Sequence, residues 1–384
     1  MKEVLMSNRE ALLATIHKKH ADRIPFVIRS WFLPHSQVER EARNQGLAIN
    51  YMIPCMYSSM PHVNVTSQML LGMWGATAKK TVSKIVFETP VGTVWTQQTL
   101  RDFAGAMEGN LNYEGIGSYM LGGLVKKPED WDVLKFMAED LEYEPCYEYI
   151  EYFKQLVGDE GIIFTFVGYH SPYTLLLIEW VGAVKLYIDH VKYPDKVDSV
   201  IKALAKSYEK QYSIAANAPA DIIKYGDHID EVLISPRIFE RYILPEHNKF
   251  ARMAHAKGKV TAIHCDGRLN KLKYLIGKLE HDIIHAITPP PMGNLPIAEA
   301  LNLWKDKVLW INCEYHFMGV EGLKKHLLAL LREIASASQG YRVIIDASTE
   351  RWVPPDCLRM FCKIMSKATL PLTEEKVDKI EKSL

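Results

Sequence analysis

The chain lacks most of the features that fix a function class at a glance. Its six cysteines in 384 residues are scattered and form no CxxC pair. That argues against a disulfide framework and for reduced cytosolic thiols. Neither sign of charge is in excess, with 46 basic and 46 acidic residues. A nucleic acid or an anionic membrane surface would call for a basic surplus, so neither is expected as a partner. Long hydrophobic runs are missing too. The strongest, near Tyr173–Val181, contains Glu179 and is too short to span a bilayer. The first ten residues hold no apolar core of signal-peptide length, so a cytoplasmic location is expected. There is no Ser- or Gly-rich linker, no low-complexity tract and no repeat of 20–50 residues. The GxSxG, P-loop, HExxH and GxGxxG signatures are also absent. What remains is metal-assisted or acid–base chemistry.

What is present is a large apolar core and a regular alternation. Hydrophobic residues make up 48% and aromatics 10% of the chain. Strand-like runs at 25–29, 161–167, 221–225, 260–263, 282–287, 308–311 and 341–347 are interleaved with helical patterns. One such helix opens at Ser235-Pro236, a cap residue followed by proline at the first helical position, and stops at Gly258. Repeated βα units imply a parallel sheet, and their number favours a closed (β/α)8 TIM barrel. The segment 31–120 departs from the pattern and contains a hairpin signal at Pro90-Val91-Gly92. It is read as an N-terminal insertion over the barrel mouth, within a single domain spanning 1–384.

The most informative stretch is Lys259-Val-Thr-Ala-Ile-His-Cys-Asp-Gly-Arg268. It reads as a buried strand ending in His264, Cys265 and Asp266, and barrel enzymes present their chemistry at such ends. A lone histidine there is as often structural as functional. Alternation puts His264 and Asp266 on one face and Cys265 on the other, so Asp266 is its better companion. Glu231 lies in the loop Gly226–Glu231 with Asp227 and His228, which are candidate proton donors or ligands. Glu246 follows Pro245, which should kink its helix. Cys313 ends another strand and is favoured as a buried structural thiol. Trp31, Tyr169 and Trp310, near strand ends, could stack on a flat substrate.

These residues resemble the uroporphyrinogen decarboxylase superfamily. The similarity is carried by Asn8–Leu12 with Asp22–Pro25, Glu88–Thr93, Ile234–Phe239 with Ile243–Pro245, Ala254–Gly258 and Pro291–Pro296. It implies a (β/α)8 barrel with its site at the C-terminal mouth. The decarboxylase's arginine-rich signature is reduced here to Arg29 in Ile28-Arg-Ser-Trp-Phe-Leu-Pro-His35, which speaks against a substrate with many carboxylates. Thiol-directed methyltransferases of the superfamily carry a His-x-Cys zinc motif and a later cysteine. This chain has Asp266 at the first cysteine position and no cysteine in Asp346–Glu350.

The ether-cleaving branch, the methyltransferase component of cobalamin-dependent O-demethylases, matches best. It is similar in using zinc held by two glutamates and a later histidine. Fourteen residues lie between Glu231 and Glu246, and seventeen between Glu246 and His264. The resemblance therefore implies zinc on Glu231, Glu246 and His264, with Asp266, Cys265 and Cys313 as lesser candidates. It implies an aryl methyl ether as methyl donor and cobalamin carried by a separate corrinoid protein, with a homodimer left open. Asp189-His-Val-Lys-Tyr-Pro194 lacks the spacing and glycine of a cobalamin-ligating signature. Another corrinoid-linked methyltransferase, or a metal-free decarboxylase, are the competing expectations.

Overall fold

The computed structural model describes residues 6–33, 35–71, 81–100, 119–348 and 353–384. Parts of the segment 31–120, namely 34, 72–80 and 101–118, fall outside these residues. The chain divides into two compact units. One comprises Met1–Cys55, Cys146–Gly168 and Ala215–Leu384, the other Met56–Pro145 and Tyr169–Ile214.

The first unit is a closed barrel of eight strands, all parallel. In chain order these are β1 Phe26–Arg29, β2 Leu47–Met52, β3 Gly161–Gly168, β4 Ile222–Tyr225, β5 Val260–His264, β6 Ile283–Ile287, β7 Val308–Asn312 and β8 Val343–Asp346. Each strand pairs with its sequence neighbour, and β8 closes against β1. Seven strands coincide with the strand-like runs of the sequence. The eighth, β2, lies inside the stretch read as an insertion, and the short helix Gln37–Asn44 precedes it.

Side chains alternate in and out along each strand. Val27, Ala48, Phe164, Ile222, Ala262 and Trp310 belong to one buried cluster, the apolar floor of the barrel. The first helix, Asn8–Ile16, adds Leu12 and Ile16 to it. Ser7 and Glu10 form a capping box at the start of that helix, satisfying backbone N–H groups that would otherwise lack partners. The β2–β3 seam is tight. A Cβ on Gly161 would stand 1.8 Å from the Ile49 carbonyl oxygen, so only glycine lets these strands close.

The Ser235-Pro236 start is as expected. Ser235 Oγ accepts the Ile238 N–H at 3.3 Å. Pro245 does perturb the helix, but through a π-helical turn over Phe239–Ile243 before regular helix resumes at Leu244–His255. The wider turn absorbs the missing proline N–H without ending the helix.

The second unit carries a four-stranded antiparallel sheet, Asn64–Leu71, Thr81–Thr89, Gly92–Leu100 and Tyr119–Gly122. Its central hairpin turns at Pro90-Val91, with Thr89 opposite Gly92, as the sequence signal implied. Met56–Ser59 pairs with Glu142–Pro145. Asp189 is buried and accepts hydrogen bonds from Trp131 Nε1 and Lys185 Nζ, each at 2.8 Å. It is thus a structural residue of this unit. Among the described residues no helix is long and apolar enough to cross a membrane.

Candidate active site

Five barrel strands carry the same three-residue pattern. Val27-Ile-Arg29, Ile222-Ile-Lys224, Ala262-Ile-His264, Ile283-Ile-His285 and Ile344-Ile-Asp346 each read apolar, isoleucine, polar. The outer two residues of each triplet face the barrel interior, and the central isoleucine faces outward. All five isoleucines are fully buried, each worth roughly 1.5–3 kcal/mol of transfer free energy. The outward face thus fixes the register that raises a polar layer on the apolar floor.

That layer holds two basic groups and two carboxylates. Lys224 is 4% exposed, and its Nζ lies 4.7 Å from the Phe166 ring centroid, a cation–π contact. Burial lowers its pKa well below the usual lysine value, and Arg29 adds to this while Asp346 and Asp266 oppose it. Asp346 is fixed by Trp310 Nε1 at 2.8 Å and by the Ser348 N–H at 2.7 Å. Ser348 Oγ also accepts the Arg29 N–H at 2.8 Å.

His264 lies between two partners. Its Nδ1 is 3.0 Å from His285 Nδ1, and its Nε2 is 3.3 Å from Asp266 Oδ2. Burial lowers the His264 pKa. Burial also opposes ionisation of Asp266, but the His264 charge and hydrogen bond outweigh it and hold this carboxyl below its ordinary range. His285 is lowered by burial first, then by Lys224, His264 and Arg29. His228, exposed, has its ring 6.3 Å from that of His264. The structure therefore brings His228, His264 and Asp266 together.

Other expected residues go elsewhere. Asp227 accepts from His247 Nε2 at 2.7 Å, and His247 Nδ1 is 3.1 Å from His281 Nε2. The His247 ring lies 4.1 Å from that of Tyr225, whose side chain alternates outward from Lys224, so this network packs against the outer face of the barrel wall. Glu231 Oε2 accepts the Lys271 N–H at 2.5 Å, and its Oε1 accepts Asn294 Nδ2 at 3.0 Å, tying two loops together. Glu246 is half-buried in the first turn of Leu244–His255.

Cys265 and Cys313 are buried, and burial raises both thiol pKa values, so neither is a ready thiolate. Trp310 is a correction to the stacking expectation. It is fully buried, 5.0 Å from the Phe164 ring, and serves as floor and as the anchor of Asp346. Trp31 is 51% and Tyr169 66% exposed, the latter in the second unit.

Among solved structures, a methyltransferase from Methanosarcina mazei is similar at 12% identity and a TM-score of 0.53, covering 98% of this chain and 99% of that one. At that identity the likeness shows a shared fold. A B12-independent methionine synthase from Shewanella sp. W3-18-1 matches more weakly, at 14% identity and TM-score 0.38, over 70% of this chain and 73% of that one. The comparison with curated proteins found no match. The model of the uroporphyrinogen decarboxylase (URO-D) family matches residues 104–288. The chain belongs to the uroporphyrinogen decarboxylase superfamily.

Zinc, implied by the ether-cleaving branch of that superfamily, does not fit the expected ligand set here. His264 has both ring nitrogens committed, and Glu231 both carboxylate oxygens. Among the described residues no three His, Cys, Asp or Glu side chains converge as metal ligands do. Lys224, His285 and Asp346 did not stand out in the sequence. The signal that marks them is the fivefold apolar-Ile-polar triplet.

Proposed function

We propose that this superfamily member is a methyltransferase that moves the methyl group of an aryl methyl ether to the corrinoid of a separate protein. The observation that carries this reading is the composition of the polar layer: Arg29 and Lys224 set against Asp266 and Asp346. Two basic groups balanced by two carboxylates suit a neutral substrate that develops a single negative charge. A polyanionic porphyrinogen would need a strong excess of cations. The printed name of the similar Methanosarcina mazei protein also supports methyl transfer.

When bound by its carrier, a reduced corrinoid supplies the nucleophile that takes the methyl group. This chain then has to receive the electron pair left on the ether oxygen as the methyl–oxygen bond breaks. Lys224 is the group suited to that task. Its lowered pKa makes its ammonium a stronger proton donor than an ordinary lysine. Arg29 shares the developing charge, and the apolar floor keeps water away so that each charge acts at full strength. Asp346, held by Trp310, keeps the two basic groups from repelling each other out of the site. No step is assigned to zinc.

The test is a leaving-group series. Methoxyarenes whose parent phenols differ in acidity are assayed with the wild type and Lys224→Met. A proton-donating lysine makes the wild type insensitive to leaving-group acidity and the variant steeply sensitive. Equal sensitivity in both removes Lys224 from the reaction.

A further inference from the structure

The Asp266–His264–His285 chain fixes where its protons sit. An ionised carboxylate can only accept, so His264 faces Asp266 with a protonated Nε2. A neutral His264 then has its lone pair on Nδ1. His285 Nδ1, 3.0 Å away, must be the donor. A neutral His285 has no proton left for its other nitrogen. That atom, Nε2, is buried and has no hydrogen-bond partner. The His285 residue is 1% exposed, and its ring lies 5.3 Å from Trp310 and 5.5 Å from Phe164. An unpaired polar atom at such a depth is costly unless something completes it.

We propose that His285 Nε2 is a specificity-determining hydrogen-bond acceptor that takes an O–H or N–H donor on the substrate ring. Asp266 and His264 are its positioning residues, because they set its tautomer. The identity of the ring rests on the methyl-ether reading, whereas the state of His285 does not. Lys224 and Arg29, which lie close enough to act on the same imidazole, keep a proton off Nε2. A methoxyarene with a free hydroxyl beside the ether would meet both groups at once: the ether oxygen at Lys224, the hydroxyl at His285.

The experiment has two arms, both on the full-length protein without a corrinoid partner. In the first, long-range 15N–1H correlation spectra of the ring nitrogens, assigned with His285→Asn, report the tautomer. In the second, calorimetry compares 2-methoxyphenol with 1,2-dimethoxybenzene. His285→Asn keeps a donor toward His264 and deletes the inner nitrogen, while His285→Gln places an amide oxygen near the Nε2 position. Thermal melts check that each variant is folded.

The proposal expects an unprotonated Nε2 and a preference of about tenfold for the phenol. The preference should vanish in the Asn variant and partly return in Gln. A protonated Nε2 overturns it whatever binds. An unprotonated Nε2 with the phenol preference intact in the Asn variant also overturns it, while leaving the methyl-ether reading standing. If neither arene binds the wild type, the methyl-ether reading fails and the ligand assignment with it.

Discussion

His264, His281 and His285 are buried imidazoles whose pKa values are lowered, in each case with burial as the leading cause. In the unfolded chain they return to about 6.5. Below that pH the unfolded state binds more protons than the folded one, so stability falls as pH falls from 7 toward 5. Each such histidine adds about 1.4 kcal/mol per pH unit to the slope within its window. Denaturant midpoints at pH 7.5, 6.5 and 5.5 should decline in the wild type, and His281→Gln should flatten the decline by about one proton. A slope that does not change with pH would mean that these rings are protonated in the fold. Lys224→Met should lower kcat by about 10²–10³ if its amine receives the leaving charge, as for the loss of one preorganised donor.

Residue by residue, legibility in the sequence tracked local context. His264 and Asp266 stood out because they are adjacent at a strand end. Lys224, His285 and Asp346 each look like an ordinary residue beside isoleucines, and only their repetition on one barrel face gives them meaning. Glu231 matched a spacing, but its carboxylate is spent on the Lys271 N–H and Asn294. Spacing says nothing about which loop atoms reach a carboxylate first.

At the scale of elements, the strands with runs of Ile and Val were readable because barrel strands are apolar on both faces. The strand β2, Leu47-Ala-Ile-Asn-Tyr-Met52, was not. Asn50 and Tyr51 break its apolar run, and the preceding helix, Gln37–Asn44, is highly charged, so the whole unit read as insertion. The Pro245 kink took the form of a π turn, which periodicity does not distinguish from a break. Two substitutions test this level. Gly161→Ala pushes a Cβ into the Ile49 carbonyl, and should cost about 3 kcal/mol or more or abolish soluble protein. Ser235→Ala removes the cap on Ile238 N–H, and should cost about 1 kcal/mol with kcat unchanged. Urea unfolding reads both. A neutral Gly161→Ala would contradict the tight β2–β3 seam.

For the molecule as a whole, the barrel positions a balanced set of charges on an apolar floor, and superfamily membership adds methyl transfer as the chemistry that such a set serves. The balanced composition of the whole chain, 46 basic and 46 acidic residues, points the same way as the site: a small neutral substrate. The reaction can be followed directly. The purified protein is mixed with a reduced corrinoid protein and 2-methoxyphenol carrying a deuterated methyl group. The account predicts equal amounts of catechol and of deuterated methyl on the corrinoid, with both lost in Lys224→Met. Ether left intact across a panel of methoxyarenes, with the corrinoid demonstrably reduced, would contradict it.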